Sequence, residues 1–148
     1  MRPAYLAGVL LFVSSPLWAA ISIRADKVIG NWYSEGRYPY GMIYSIRHIA
    51  PDGSFENEFR ECFSTGGSKD HVESGHWTID GNRFRTITEF IAQKPVHLTI
   101  ETETISFDDV SWTELIVGGD GLKSFGRTKA RSTRVSADSK LPACEPVS

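Results

Sequence analysis

Four histidines, His48, His71, His76 and His97, are the side chains best suited to hold a metal or move a proton near neutral pH. Their spacing argues against joint action. His71 and His76 are an odd number of residues apart, so on one regular strand they face opposite ways, and the other two fall on different segments. No zinc site or other metal centre is therefore expected, and each histidine reads as an ordinary surface or core residue. Glu101 and Glu103 share one strand face, which reads as a solvated surface rather than an acid–base pair. The sequence contains no GxSxG, HExxH, P-loop or CxxC string. With no nucleophile–base pair at a recognisable spacing, no catalytic residue, no cofactor and no enzymatic activity are expected.

A second set points to binding. Period-two patterning places Trp32, Tyr44, Phe59, Trp77, Phe84 and Phe90 on inward faces, where they supply apolar wall. His48, Asn57, Thr86, Thr88 and Thr113 fall on the same faces and add sparse hydrogen-bonding groups. Apolar walls with few polar groups suit a small-molecule pocket in a barrel mouth. They also suit a filled core, because eight strands leave an interior that side chains can occupy. A pocket of this kind would draw its affinity from removing apolar surface from water, at about 25 cal/mol per Å². A third set, Lys123, Arg127, Lys129 and Arg131, shares one parity of a late strand. It reads as a strip for an anionic protein partner, or as a charged exterior meeting acids on neighbouring strands such as Glu35 or Glu114.

The elements that must position these residues begin after an export signal. Arg2 gives a short basic start, Ala4 opens an apolar run to Val13, and Ser14-Ser15-Pro16 breaks it. Leu17-Trp18-Ala19-Ala20 offers small residues for cleavage, so 1–20 read as a signal peptide and 21–148 as a single mature domain. The run is too short for a comfortable membrane span, so the mature protein is expected to be periplasmic or secreted without one. The formal net charge is −2, with 16 basic and 18 acidic residues. Bulk charge thus suggests no nucleic-acid partner. Export makes a disulfide the default state of the two cysteines, Cys62 and Cys144.

The mature region shows no helical period. It alternates instead between turn signals, with strands expected over 27–35, 42–50, 54–63, 72–80, 83–91, 96–107, 110–117 and 122–134. Pro51-Asp52-Gly53 and Asp80-Gly81-Asn82 are the clearest turns. A mobile loop is expected over 65–70, and an irregular tail from Ser136. Eight sequential strands with short connections bury their apolar face and lose their edges by closing into a barrel. Parity places Val28, Gly30, Trp32, Met42, Tyr44, Ile46 and His48 inside the first two strands. Cys62 points outward, where a tail crossing the outside could meet it. On 110–117 the favoured inner face is Thr113, Leu115 and Val117, contested by Trp112 and Ile116.

Gly30-Asn31-Trp32 on the first strand, the eight-strand meander and a cysteine pair able to pin the tail to a middle strand together resemble the lipocalin-like (calycin) group. The comparison covers nearly the whole mature chain, and a small bacterial type is the better match because the tail lacks the helix of longer members. The resemblance implies an all-β, eight-stranded antiparallel meander closed into a lipocalin-like barrel, with Trp32 shutting one end and a late-strand arginine packed over it. Arg127 or Arg131 would take that part, although parity points both outward. It implies an exported binding protein holding a small hydrophobic molecule. The alternative is an inhibitor or immunity-type interaction module of the envelope, with a filled barrel core. The string from Gly30 to Pro39 also resembles the opening of haem-binding nitrobindins, which ligate haem through a late histidine. The last histidine here, His97, precedes the final strands, so no haem is expected.

Overall fold

A computed structural model describes residues 21–145; the expected signal peptide lies outside them. A short helix, α1 (Ala25–Val28), leads into eight strands: β1 (Gly30–Tyr38), β2 (Gly41–Ile49), β3 (Ser54–Phe63), β4 (Ser68–Asp80), β5 (Arg83–Ile91), β6 (Lys94–Phe107), β7 (Ser111–Gly119) and β8 (Lys129–Val135). Each strand pairs antiparallel with the next, and β8 closes on β1, so no edge is left. The protein is all-β, a closed barrel in meander order. Two segments depart from expectation: α1 takes the start of the strand expected over 27–35, which begins at Gly30 instead, and a second helix, α2 (Gly121–Phe125), stands where the last strand was expected to start. The loop expected over 65–70 is shorter, because β4 already begins at Ser68.

One end of the barrel is sealed by aromatic packing. Trp32 meets Trp112 edge-on at 5.4 Å, Trp112 meets Phe84 at 4.9 Å, and Phe84 stacks on Trp77 at 5.8 Å. Every indole N–H in this cluster has an acceptor: Trp32 donates to the Val28 carbonyl, Trp77 to the Ala50 carbonyl and Trp112 to Thr104 Oγ1. The rings are thus buried without the cost of an orphan donor. At 150–250 Å² each, they contribute about 4 to 6 kcal/mol per ring before chain entropy is subtracted. Val28 and Ile23 add the bottom of this core.

The arginine over Trp32 is Arg134, not Arg127 or Arg131. Its guanidinium lies 4.2 Å from the ring centroid and donates to the carbonyls of Ile29, Lys27 and Asp109. Arg134 keeps the inward parity of β8, which resolves the conflict that Arg127 and Arg131 raised. It also explains Gly30. That residue sits at φ +130°, and a Cβ there would come within 2.5 Å of Arg134 Nη1. The glycine two residues before the tryptophan is the space the arginine needs.

The tail runs along the outside. Cys62 faces outward on β3 and bonds Cys144, with 5.5 Å between the Cα atoms. Arg60, two residues earlier on the same face, donates to the Leu141 and Pro142 carbonyls and pairs with Asp70 at 2.7 Å.

Candidate functional site

Above the aromatic floor the barrel is hollow. A cavity of about 410 Å³ opens toward the β1–β2, β3–β4, β5–β6 and β7–β8 connections. Its apolar wall comes from Phe55 and Phe84 at the bottom and from Ile43, Phe59, Leu98, Ile100 and Ile116 higher up, with Phe125 of α2 at the mouth. Side chains pack the closed half of the barrel and leave this cavity in the other half.

The wall also carries charge. Glu114, only 2% exposed, faces Arg47 Nη1 across 3.2 Å, and its other oxygen accepts from Thr102 Oγ1 at 2.5 Å. The Arg47 guanidinium spans the Phe84 and Trp112 rings at 5.6 and 5.9 Å. The ion pair thus roofs the aromatic core and floors the cavity. Its partners lie on β2 and β7, so the pair joins strands that share no backbone hydrogen bond. On β4, Glu73 lies 3.6 Å from His71, and His71 stacks on Phe59 at 4.9 Å. Burial holds the Glu73 carboxyl above the usual range, opposed by His71 and Arg47.

The residues proposed from sequence divide three ways. Asn57, Phe59, Phe84, Thr86 and Thr88 line the cavity. Trp32 and Trp77 lie beneath it as part of the sealed floor. Tyr44, His48, Phe90 and Thr113 are outside the lumen. On β2 the inward residues are Ile43, Ser45 and Arg47, so Met42, Tyr44, Ile46 and His48 face out; Tyr44 stands opposite Arg60, and Met42 opposite Cys62. His48 spends its ring nitrogens on Asn31 Oδ1 at 2.6 Å and Glu58 Oε1 at 3.2 Å. Phe90 is 46% exposed because the register slips between Thr88 and Phe90 and turns it out. Two further slips on β6–β7 accompany the choice of Trp112, Glu114 and Ile116 as the inner face of β7. Thr113, Leu115 and Val117 then face out, with Thr113 beside Arg131.

Arg47 and Glu114 were missed because each is a lone charge in an otherwise apolar strand, and charge was taken to mark the outside. The available signal was their complementarity: one basic and one acidic residue on the parities that also bear Ile43, Ile49, Trp112 and Ile116. Glu114 accordingly does not stand on the exterior beside a basic row. That row does not exist as a strand face either. Lys123 is on α2, Arg127 lies in the connection after it, and only Lys129 and Arg131 belong to β8.

Among the described residues no group of three His, Cys, Asp or Glu side chains could hold a metal ion, and no helix is long and apolar enough to cross a membrane. No protein-family model matches the chain, and no curated protein matches it in sequence.

Proposed function

We propose that this protein is an exported lipocalin-like carrier that holds a small, mainly apolar molecule in the open half of its barrel. The observation that carries the reading is the cavity itself. Its volume falls in the range of small-molecule sites, and its apolar walls are interrupted by a few placed polar groups. The aromatic floor, the Arg134–Trp32 contact and the closed eight-strand meander support the lipocalin-like comparison. The Cys62–Cys144 disulfide supports an oxidising compartment. Binding is favoured over catalysis because the ionisable groups deep in the cavity face one another, Arg47 with Glu114 and His71 with Glu73, while Glu35, Glu61 and Lys129 stand toward its mouth.

An environment-sensitive fatty-acid probe tests the proposal. Fluorescence enhancement should saturate with the native protein. It should fall at least tenfold in Ile43→Trp and in Ile100→Trp, which fill the cavity from opposite walls. Tyr44→Ala and Phe90→Ala, on the outer face, should bind as the native protein does. No saturable enhancement, or equal loss in the outer-face variants, would refute it.

A further inference from the structure

The two ends of the barrel carry opposite charge. The turns at the sealed end present Asp26, Asp52, Asp80, Asp108 and Asp109. Cations at that end are committed: Arg24 to Asp26, Lys27 to Asp109 at 4.0 Å, Arg83 to Glu101, and Arg134 to backbone carbonyls. The open end is the reverse. Arg37, Lys69, Lys94, Lys123, Arg127 and Lys129 stand in or beside the connections that frame the mouth, and all are exposed. None of them makes an ion pair among the described residues. The acids nearby are fewer, and of those named only Asp70 is held in an ion pair. Asp70 pairs with Arg60, Asp120 accepts from the Thr99 amide, Glu35 accepts from Tyr33, and Glu61 faces the cavity. A net charge of −2 therefore conceals a basic face.

The same end exposes large apolar side chains at its tips. Tyr40 is 72% exposed in the β1–β2 turn and Phe125 is 54% exposed on α2, while Val96 stands just beyond the β5–β6 turn. Val72 and Phe90, 41% and 46% exposed, extend the Val96 site around the β5–β6 turn, where Phe90 stands opposite Pro95. Exposed apolar side chains among cations without acidic partners match a lipid headgroup layer, which accepts side chains at any lateral position.

We infer that the open end of the barrel docks on an anionic lipid bilayer, with Tyr40, Phe125 and Val96 entering the headgroup region and the surrounding lysines and arginines meeting lipid phosphates. The acidic turns at the sealed end point the protein mouth-first. Phe125 both lines the cavity and stands at its rim, so a docked barrel opens directly onto the acyl layer. Docking goes beyond the carrier proposal and needs no bound ligand.

Vesicle sedimentation of the purified, disulfide-intact protein tests this, with no ligand added. Vesicles of phosphatidylcholine alone are compared with phosphatidylcholine mixed with phosphatidylglycerol. The protein should sediment with the anionic vesicles only, and should be released at roughly 0.5 M salt, where exposed charges are screened within a few ångströms. Each neutralised cation should weaken partitioning about fivefold, so the Lys94→Gln, Lys123→Gln, Arg127→Gln triple variant should lose about 100-fold. Phe125→Ser alone should weaken it several-fold, and Arg24→Gln at the sealed end should change nothing. Near-UV circular dichroism of the tryptophan cluster reports that the variants stay folded. Equal sedimentation with neutral vesicles, no sedimentation with either, or equal loss in Arg24→Gln overturns the inference. So does an open end that captures a protein from the envelope but ignores anionic vesicles. A barrel that binds vesicles but not the fatty-acid probe would sink the carrier proposal and leave the docking intact.

Discussion

Replacing Arg47 with Met removes one half of the ion pair between the cavity and the aromatic core. The carboxylate left behind has almost no access to water, since Glu114 is 2% exposed. Its remaining partner is Thr102 Oγ1, one neutral donor for a full charge. Breaking such a pair costs about 3 to 5 kcal/mol. The lower figure applies here, because Arg47 keeps 24% of its side chain exposed and cavity water partly screens the pair. Lost contact with the Phe84 and Trp112 rings adds about 0.5 to 1 kcal/mol. With a urea slope of about 2 kcal/mol per M for a domain of this size, the unfolding midpoint should fall by roughly 1.5 to 2 M. The double variant Arg47→Met, Glu114→Leu separates a stranded charge from lost packing. It leaves no buried charge, and Thr102 still lies 3.4 Å from the Phe84 carbonyl, so its hydroxyl keeps an acceptor. Its unfolding free energy should return to within about 1 kcal/mol of the native protein's. A single variant costing less than about 1 kcal/mol, or a double variant as unstable as the single, would show that this pair is not a desolvated one.

Three further outcomes are expected. Arg134→Ala removes donors to three carbonyls and the cation over Trp32, and should destabilise by about 2 to 4 kcal/mol in urea unfolding; Arg134→Lys should recover little, because an ammonium cannot reproduce the planar fork. Thiol titration of the unfolded, unreduced protein should find no reactive cysteine, and Cys62→Ser with Cys144→Ser should cost up to about 4.5 kcal/mol by chain entropy for an 82-residue separation. Glu73 is held above its unfolded value of 4.5 mainly by burial, so its contribution to stability is fully present below that value and is lost as pH rises through the folded pKa. Glu73→Gln should therefore stabilise the protein at neutral pH, with the gain shrinking to nothing in acid; thermal melts across pH would show the reverse if the His71 contact outweighed burial.

The barrel was legible in the sequence because closure is a global property, and local errors do not disturb it. Turn residues such as Pro51-Asp52-Gly53 and Asp80-Gly81-Asn82 mark where strands end, and eight strands with short connections leave few ways to hide their edges. The lumen was harder to read because each strand offers a binary choice, and a single slip of register reverses it. On β5 alternation holds through Thr86 and Thr88, then fails at Phe90, where the bulge lies. On β2 it fails throughout, for a different reason. Both parities of 41–49 carry bulky apolar residues, so hydrophobicity cannot choose between Ile43, Ser45, Arg47 and Met42, Tyr44, Ile46. The choice is made with other strands: Arg47 finds Glu114 on β7 across the lumen, and Ser45 meets Ser34 on the neighbouring β1 at 2.7 Å. A strand read alone holds no record of such a partner. The same coupling explains why two misassigned strands, β2 and β7, were wrong together. Each supplies one end of the buried ion pair, so assigning either charge to solvent left the other without a reason to point inward.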